Sequence, residues 1–170
     1  MPRPTMSDAL QARPQYLSLV YHKIPGEADW TLLQQGRTLT PDQTANKTEA
    51  ARIGDKNKTT VYGAITTDVT LRVYVDDDLQ EVARVLGTAR PGGGWVGDEQ
   101  IELDPTDVGD FKIENYDGAT AAATLKFTEY INRFKPGRLS MGLDAEEEGG
   151  RFADLSGAAD AYYITPAAGV

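Results

Sequence analysis

From Ile65 to Asp76 the chain alternates. Odd positions read Ile65, Thr67, Val69, Leu71, Val73 and Val75, and even positions read Thr66, Asp68, Thr70, Arg72, Tyr74 and Asp76. Successive side chains of a strand point to opposite faces, so this spacing predicts a long strand with one apolar and one polar face. The pattern returns at Ala123, Leu125, Phe127, Glu129 and Ile131 against Thr124, Lys126, Thr128 and Tyr130. It returns again at Leu139, Met141, Leu143 and Ala145 against Arg138, Ser140, Gly142 and Asp144. Lys135-Pro136-Gly137 stands between these two with turn chemistry, so the pair reads as a β-hairpin. Shorter strands are expected at Tyr16–Tyr21, Trp30–Leu33, Gln100–Leu103 and Asp110–Ile113. The fold class is therefore mainly β, an antiparallel sandwich or partial barrel.

One helix interrupts the strands. Asp78 is a good N-cap with Glu81 three residues on, and Leu79, Val82, Val85 and Leu86 form one apolar stripe that Gly87 ends. A helix so short and amphipathic is expected to flank a sheet. Gly36–Thr60 is polar, rich in Thr, Asn, Lys, Asp and Gln, and is expected as one long loop. Thr88–Asp98, with Arg90-Pro91-Gly92-Gly93-Gly94-Trp95, is expected as a second. Loops of the first kind's length usually indicate function or disorder. At 170 residues the chain suits a single domain over 1–155. The Ala- and Gly-rich stretch 156–170 is expected as a C-terminal arm or tail.

Residue types exclude much chemistry. With no cysteine there are no thiolate nucleophiles, disulfides or cysteine zinc sites, and His22 is the only histidine. His22 is expected at the surface or a sheet edge. Gly92-Gly93-Gly94 lacks the Gly-Lys-Ser/Thr that completes a phosphate-binding loop. The acidic groups Asp76-Asp77-Asp78, Asp104 with Asp107 and Asp110, and Glu146-Glu147-Glu148 read as a strand end with a cap, a solvated turn and a hairpin end. No catalytic, cofactor or metal residue is assigned, and the chain is not expected to be an enzyme. The net charge is -9, with 11 acids against 10 bases in residues 1–85 and 15 against 7 thereafter. Such a balance disfavours gripping phosphates. No run approaches the roughly 20 apolar residues of a membrane helix, and no signal-peptide run follows Met1, so the product is expected to be made and kept in the cytosol.

The order of parts is the most informative feature. Lys58-Thr59-Thr60-Val61-Tyr62-Gly63 follows the polar segment and leads into the long strand and the helix through Leu86. Ala123-Thr124-Leu125-Lys126-Phe127-Thr128-Glu129-Tyr130 then leads through Pro136-Gly137 to Asp144. From Tyr16 to Arg151 this order resembles the major tail tube proteins of phages with long non-contractile tails. The resemblance implies homo-hexameric rings that stack into a hollow tube, with strands of all subunits joined into one inner barrel. It implies an acidic lumen through which DNA passes without specific binding, and a long loop that reaches the neighbouring ring. It further implies a place in the virion tail after assembly in the host cytoplasm, with terminator, distal tail and tape-measure proteins as partners.

The residues agree with this picture. Long strands with one polar face suit a water-filled barrel, and joining them around a ring removes exposed edges. The segment Gly36–Thr60 carries Arg37, Lys47, Arg52, Lys56 and Lys58 against Asp42, Glu49 and Asp55, a net +2 on an acidic protein. It is expected to dock on an acidic neighbour by charge complementarity. Asp68 and Arg72 on one strand, and Asp144, Glu146 and Glu148 on another, are the candidate lumen residues. A receptor- or carbohydrate-binding sandwich is the alternative from another class, and it calls for aromatics gathered in one patch. Tyr16, Tyr21, Trp30, Trp95, Tyr162 and Tyr163 are scattered along the chain. A terminator or secretion-tube subunit of the same fold is the alternative within the structural class.

Overall fold

The computed structural model describes residues 17–33, 36–50, 59–75, 80–86, 103, 109–118, 122–144 and 150–168. They form nine strands and one helix: β1 Leu17–Lys23, β2 Thr31–Leu32, β3 Gly36–Ala50, β4 Thr59–Val75, α1 Gln80–Val85, β5 Asp110–Tyr116, β6 Leu125–Asn132, β7 Lys135–Asp144, β8 Gly150–Ala159 and β9 Ala161–Pro166. Two antiparallel sheets result. One has five strands in the order β2-β1-β5-β6-β9, and the other four in the order β3-β4-β8-β7.

Their apolar faces meet as a sandwich. From the four-stranded sheet come Val69, Leu71, Val73, Ala153 and Leu155; from the other come Phe111, Ile113 and Ile131. Phe134 and the Val82, Val85 and Leu86 stripe of α1 complete the core. The helix thus packs as its stripe predicts. Arg84 on α1 forms an ion pair with Glu27, which in turn accepts from the Ile24 amide at 3.1 Å, so the helix is tied to the turn after β1. His22, expected at the surface, is fully buried, its ring centroid 4.7 Å from that of Phe111. The period of β1 puts it on the core face beside Val20, and that placement overrides its polarity.

Glu129 stands on the apolar face of β6 for a structural reason. Its carboxylate accepts from the Asn115 amide at 2.9 Å and from the Tyr162 hydroxyl at 2.7 Å, while Ser18 donates to Asn115 at 2.6 Å. Burial, reinforced by the Glu129 carboxylate, pushes the Tyr162 hydroxyl up to about 12.

Three sequence expectations change. Lys135-Pro136-Gly137 turns no hairpin, because β6 and β7 lie in different sheets. The chain crosses between sheets at Arg133, whose φ is 54° and whose amide donates to Asp110 at 2.8 Å; Phe134 then bonds Gly109. Gly137 is the extra residue of a bulge within β7. Opposite it, a Cβ on Gly157 would sit 2.0 Å from the Lys135 carbonyl oxygen, so the backbones approach too closely for any side chain. The polar segment Gly36–Thr60 is strand at both ends, pairing β3 with β4 from Gly36↔Val73 to Ala50↔Thr59. The stretch from residue 156 onward is also strand: a boundary at 155 falls inside β8, and β9 pairs with β6 from Asn132↔Ala161 to Phe127↔Pro166. Asp78, Gly87 and the glycine-rich loop lie outside the described residues, as does Gln100–Leu103 except for Leu103, which packs at the core margin.

Candidate functional site

The outer face of the four-stranded sheet is polar because each of its strands puts its core residues on the other side. Register aligns Thr38, Arg72, Asp154 and Ser140 in one row and Thr40, Thr70, Ser156 and Arg138 in the next. All of these but Thr40 line a shallow depression of about 450 Å³. Arg72 grips Asp154 with two hydrogen bonds, 2.7 and 2.8 Å, and its guanidinium lies 4.1 Å from the centre of the Phe152 ring. The Arg72 hydrogen bond holds the Asp154 carboxyl below the usual carboxylate range. Phe152 also covers Gly142, where a Cβ would come within 2.4 Å of its ring. A bidentate pair fixes Arg72 as a lone surface charge would not be fixed.

The structure brings two of the candidate lumen residues together on this face. Asp68 follows Arg72 and Thr70 along β4 and stands opposite Asp42 of β3. Asp144 occupies the same strand parity in β7 as Arg138 and Ser140. Glu146 and Glu148 lie outside the described residues. Among the described side chains on this face, Asp42, Asp68 and Asp154 oppose Arg72 and Arg138.

The residues expected to dock on a neighbour are dispersed. Arg37 lies at the root of β3 and Glu49 near its far end, roughly 40 Å apart at about 3.3 Å per residue. Lys47 pairs with Tyr62 and Glu49 with Thr60; Arg52, Asp55, Lys56 and Lys58 lie outside the described residues. What distinguishes the outer part of this hairpin is apolar exposure. Val61 is 55% exposed, Tyr62 69% and Ile65 64%. Ile65 belongs to the alternation that puts Val69, Leu71 and Val73 in the core, yet it receives no cover. The register between Ala45↔Ile65 and Lys47↔Tyr62 gains one residue in β4, a bulge of the kind that re-aims a strand.

A second surface was not legible in the sequence. On the outer face of the five-stranded sheet, Tyr21, Lys112, Tyr130 and Tyr163 form one row across β1, β5, β6 and β9. Tyr130 and Tyr163 stack at 5.1 Å, Trp30 lies 6.4 Å from Tyr130, and the Lys112 ammonium sits 4.3 Å from the Tyr21 centroid and 5.4 Å from that of Trp30. Glu114 takes bonds from Lys112 at 2.7 Å and Tyr116 at 2.8 Å; against the effect of burial, these hold its carboxyl below the usual range. Aromatics scattered along the chain are thus gathered by strand pairing.

No family model and no curated protein matches the chain. Solved structures do. A chain of the sheath-tube complex of an extracellular contractile injection system, PVC, in its extended state aligns with a TM-score of 0.58 at 17% identity, over 97% of this chain and 99% of that one. The anti-feeding prophage baseplate, 6-fold symmetrised, gives 0.57 at 12% identity over 99% of each chain. The SPP1 tail tube gives 0.53 at 8% identity, over 89% of this chain and 76% of that one. The fold is that of tail-tube proteins. The tail-tube likeness spans contractile injection systems and the SPP1 tail tube alike, so it does not single out the non-contractile type.

Proposed function

We propose that this chain is a structural, non-enzymatic subunit of a tail tube, assembling into hexameric rings that stack into a hollow conduit for DNA. The observation that carries the reading is the four-stranded sheet. It ends in two long strands, β3 and β7, whose outer edges no described residue pairs, and one of its faces is polar. Open edges of this length invite pairing. A head-to-tail contact, β7 of one copy to β3 of the next, repeats around a ring until it closes, and closure satisfies every edge. The polar face, with Asp68, Arg72 and the Asp144 position, then lines the lumen, where DNA passes without specific binding. The β3–β4 arm reaches the adjacent ring.

Within this reading the protein resides in the virion tail after assembly in the host cytoplasm, and its rings meet terminator, distal tail and tape-measure proteins at their ends. The gathered aromatic row is what a receptor- or carbohydrate-binding module would call for. Tyr130 and Tyr163 stack on each other, and Tyr21 and Trp30 lie beside Lys112, so the row is partly engaged within the chain while Tyr163 remains 47% exposed.

Negative-stain electron microscopy of the purified protein tests the proposal. Six-fold rings or tubes are expected, and a dispersed monomer at high concentration would overturn it. Replacing residues 46–64 by a two-residue Asn-Gly turn spares every residue of the core cluster. Rings without stacks are the expected product; tubes of normal length would exclude the arm from stacking.

A further inference from the structure

The two open edges of the four-stranded sheet carry unlike charges on its polar face. Strand β3 presents Asp42, which stands directly across from Asp68 on β4. Side chains paired in this way have Cβ atoms about 4.5–5.5 Å apart, and two carboxylates so placed repel each other. Both are exposed, and neither has a cationic partner among the described residues. Strand β7 presents Arg138, exposed on the same face in the row Thr40, Thr70, Ser156 and Arg138. It too has no ion-pair partner among the described residues. The other arginine of this face, Arg72, is held by Asp154 through two hydrogen bonds. One arginine is thus satisfied within the subunit, while the other waits on one edge and a repelling carboxylate pair on the opposite one.

Arg138 and Asp42 do not meet inside one subunit, because β4 and β8 lie between their strands. Three strand spacings of about 4.8 Å put the two strands on the order of 14 Å apart. Surfaces that are complementary but lie on opposite edges of one molecule make a heterologous contact, which closes into a ring. Backbone pairing alone specifies such a seam poorly. Pro41 of β3 has no N–H to offer, and Gly137 bulges β7. A slip of one residue is forbidden, since it would turn the polar face of one copy to the apolar face of the next. Slips of two residues remain, and side chains must choose among them.

We infer that Arg138 of one copy pairs with Asp42 of the next copy in the ring, and that this ion pair sets the register of the β7–β3 seam. The inference rests on the tail-tube reading, which leaves that register open. Strand directions allow it. Each neighbouring pair from β3 through β4 and β8 to β7 is antiparallel, and rotation about the tube axis keeps directions, so β7 meets the next β3 antiparallel as well. With no axial offset between copies Arg138 stands opposite Thr40, whose row it shares, and Asp42 is one diagonal step away. With an offset of two residues Asp42 is directly opposite. A side chain as long as arginine spans either position. Each seam then cancels one carboxylate. Among the described charges of this face, Arg72 is balanced by Asp154 and Arg138 by the neighbour's Asp42, which leaves Asp68 as the net negative charge.

Charge reversal tests the pair. Arg138→Asp is expected to abolish rings at concentrations where the unaltered chain assembles, with the monomer's urea midpoint unchanged. Adding Asp42→Arg to it should restore them. Rings from Arg138→Asp alone, or no recovery in the double variant, would overturn the inference. The chain has no cysteine, so introduced thiols supply an independent arm. Arg138→Cys is combined with Asp42→Cys or with Thr40→Cys, and the assembled protein is oxidised. One of the two combinations is expected to give disulfide-linked multimers that stop at six, because a ring closes. Combination with Lys47→Cys, five residues beyond Asp42, should give none. A ladder running past six would place the contact between rings and overturn the inference. Tubes in which neither combination cross-links would overturn the register while leaving the tail-tube reading intact; an unaltered chain that forms no ring or tube would overturn both.

Discussion

Strand β4 is two structures in one run of chain. From Thr67 to Val73 its odd residues are buried and its even ones face water, because the five-stranded sheet lies across it. From Thr60 to Thr66 the same hydrogen-bonded pairing with β3 continues, but every residue on both sides is exposed. Both halves carry strand-forming residues, Thr67, Val69, Thr70, Leu71 and Val73 in one and Thr60, Val61, Tyr62, Ile65 and Thr66 in the other, so local propensity hardly differs. What differs is the presence of a second layer. The inner half is stabilised by burial; the outer half has ladder hydrogen bonds and cross-strand pairs alone, and a two-stranded ribbon is marginal by itself. Such a segment fits a role in which the missing layer arrives from another subunit.

Substitutions can break this contrast, and the body should respond most strongly. Phe111 is fully buried between His22 and Phe134, with ring centroids 4.7 and 5.5 Å away. Phe111→Ala should cost about 3–5 kcal/mol of folding stability in urea titration, through lost burial and the cavity left behind. A cost below about 1 kcal/mol would mean that the sandwich core is not where the stability resides.

The polar face should respond modestly and with a particular pH dependence. Asp154 has a folded-state pKa held below its ordinary value by Arg72, so it binds fewer protons folded than unfolded on the acid side. Its contribution is present above the ordinary carboxylate range, near pH 4 and up, and disappears as pH falls through the lowered value. Both side chains are more than a third exposed, so solvent screening keeps the effect below about 1 kcal/mol. Asp154→Asn should therefore lower stability slightly at pH 7 and leave it unchanged near pH 2. An equal loss at both pH values would show that packing, not charge, holds the pair.

The smallest folding effect belongs to the arm. Ile65→Ser should change monomer stability by no more than about 0.5 kcal/mol, since no cover is lost within the subunit. A loss comparable to a core truncation would show that the arm packs on its own body, and the contrast within β4 would collapse.

Strong alternation made β4, β6 and β7 legible in the sequence, together with the α1 stripe and the β-rich class. The strands that escaped notice did so for separate reasons. β3 has Leu39 as its one large aliphatic residue, and its outer part buries neither side, so it shows no periodic apolar face. In β8, Ala153, Gly157 and Ala159 share the inward parity with Leu155, and small residues give a weak periodic signal even where Ala153 is fully buried. The candidate lumen face was half readable: strand parity put Asp68 with Arg72, but nothing in the sequence paired Arg72 with Asp154, which is 82 residues away.

By itself, the sequence determined that this chain would form two-faced strands without thiol or multi-histidine chemistry, since residue type and period 2 are local properties. Only the tertiary structure decided which strands share a sheet. It sent β6 and β7 to different sheets at Arg133, drew Tyr21, Trp30, Tyr130 and Tyr163 into one patch, and left Ile65 uncovered while burying Val69. Those outcomes depend on partners far away in the chain and on where the shorter sheet ends. A local pattern encodes which face of a strand is apolar, but not whether anything lies against it.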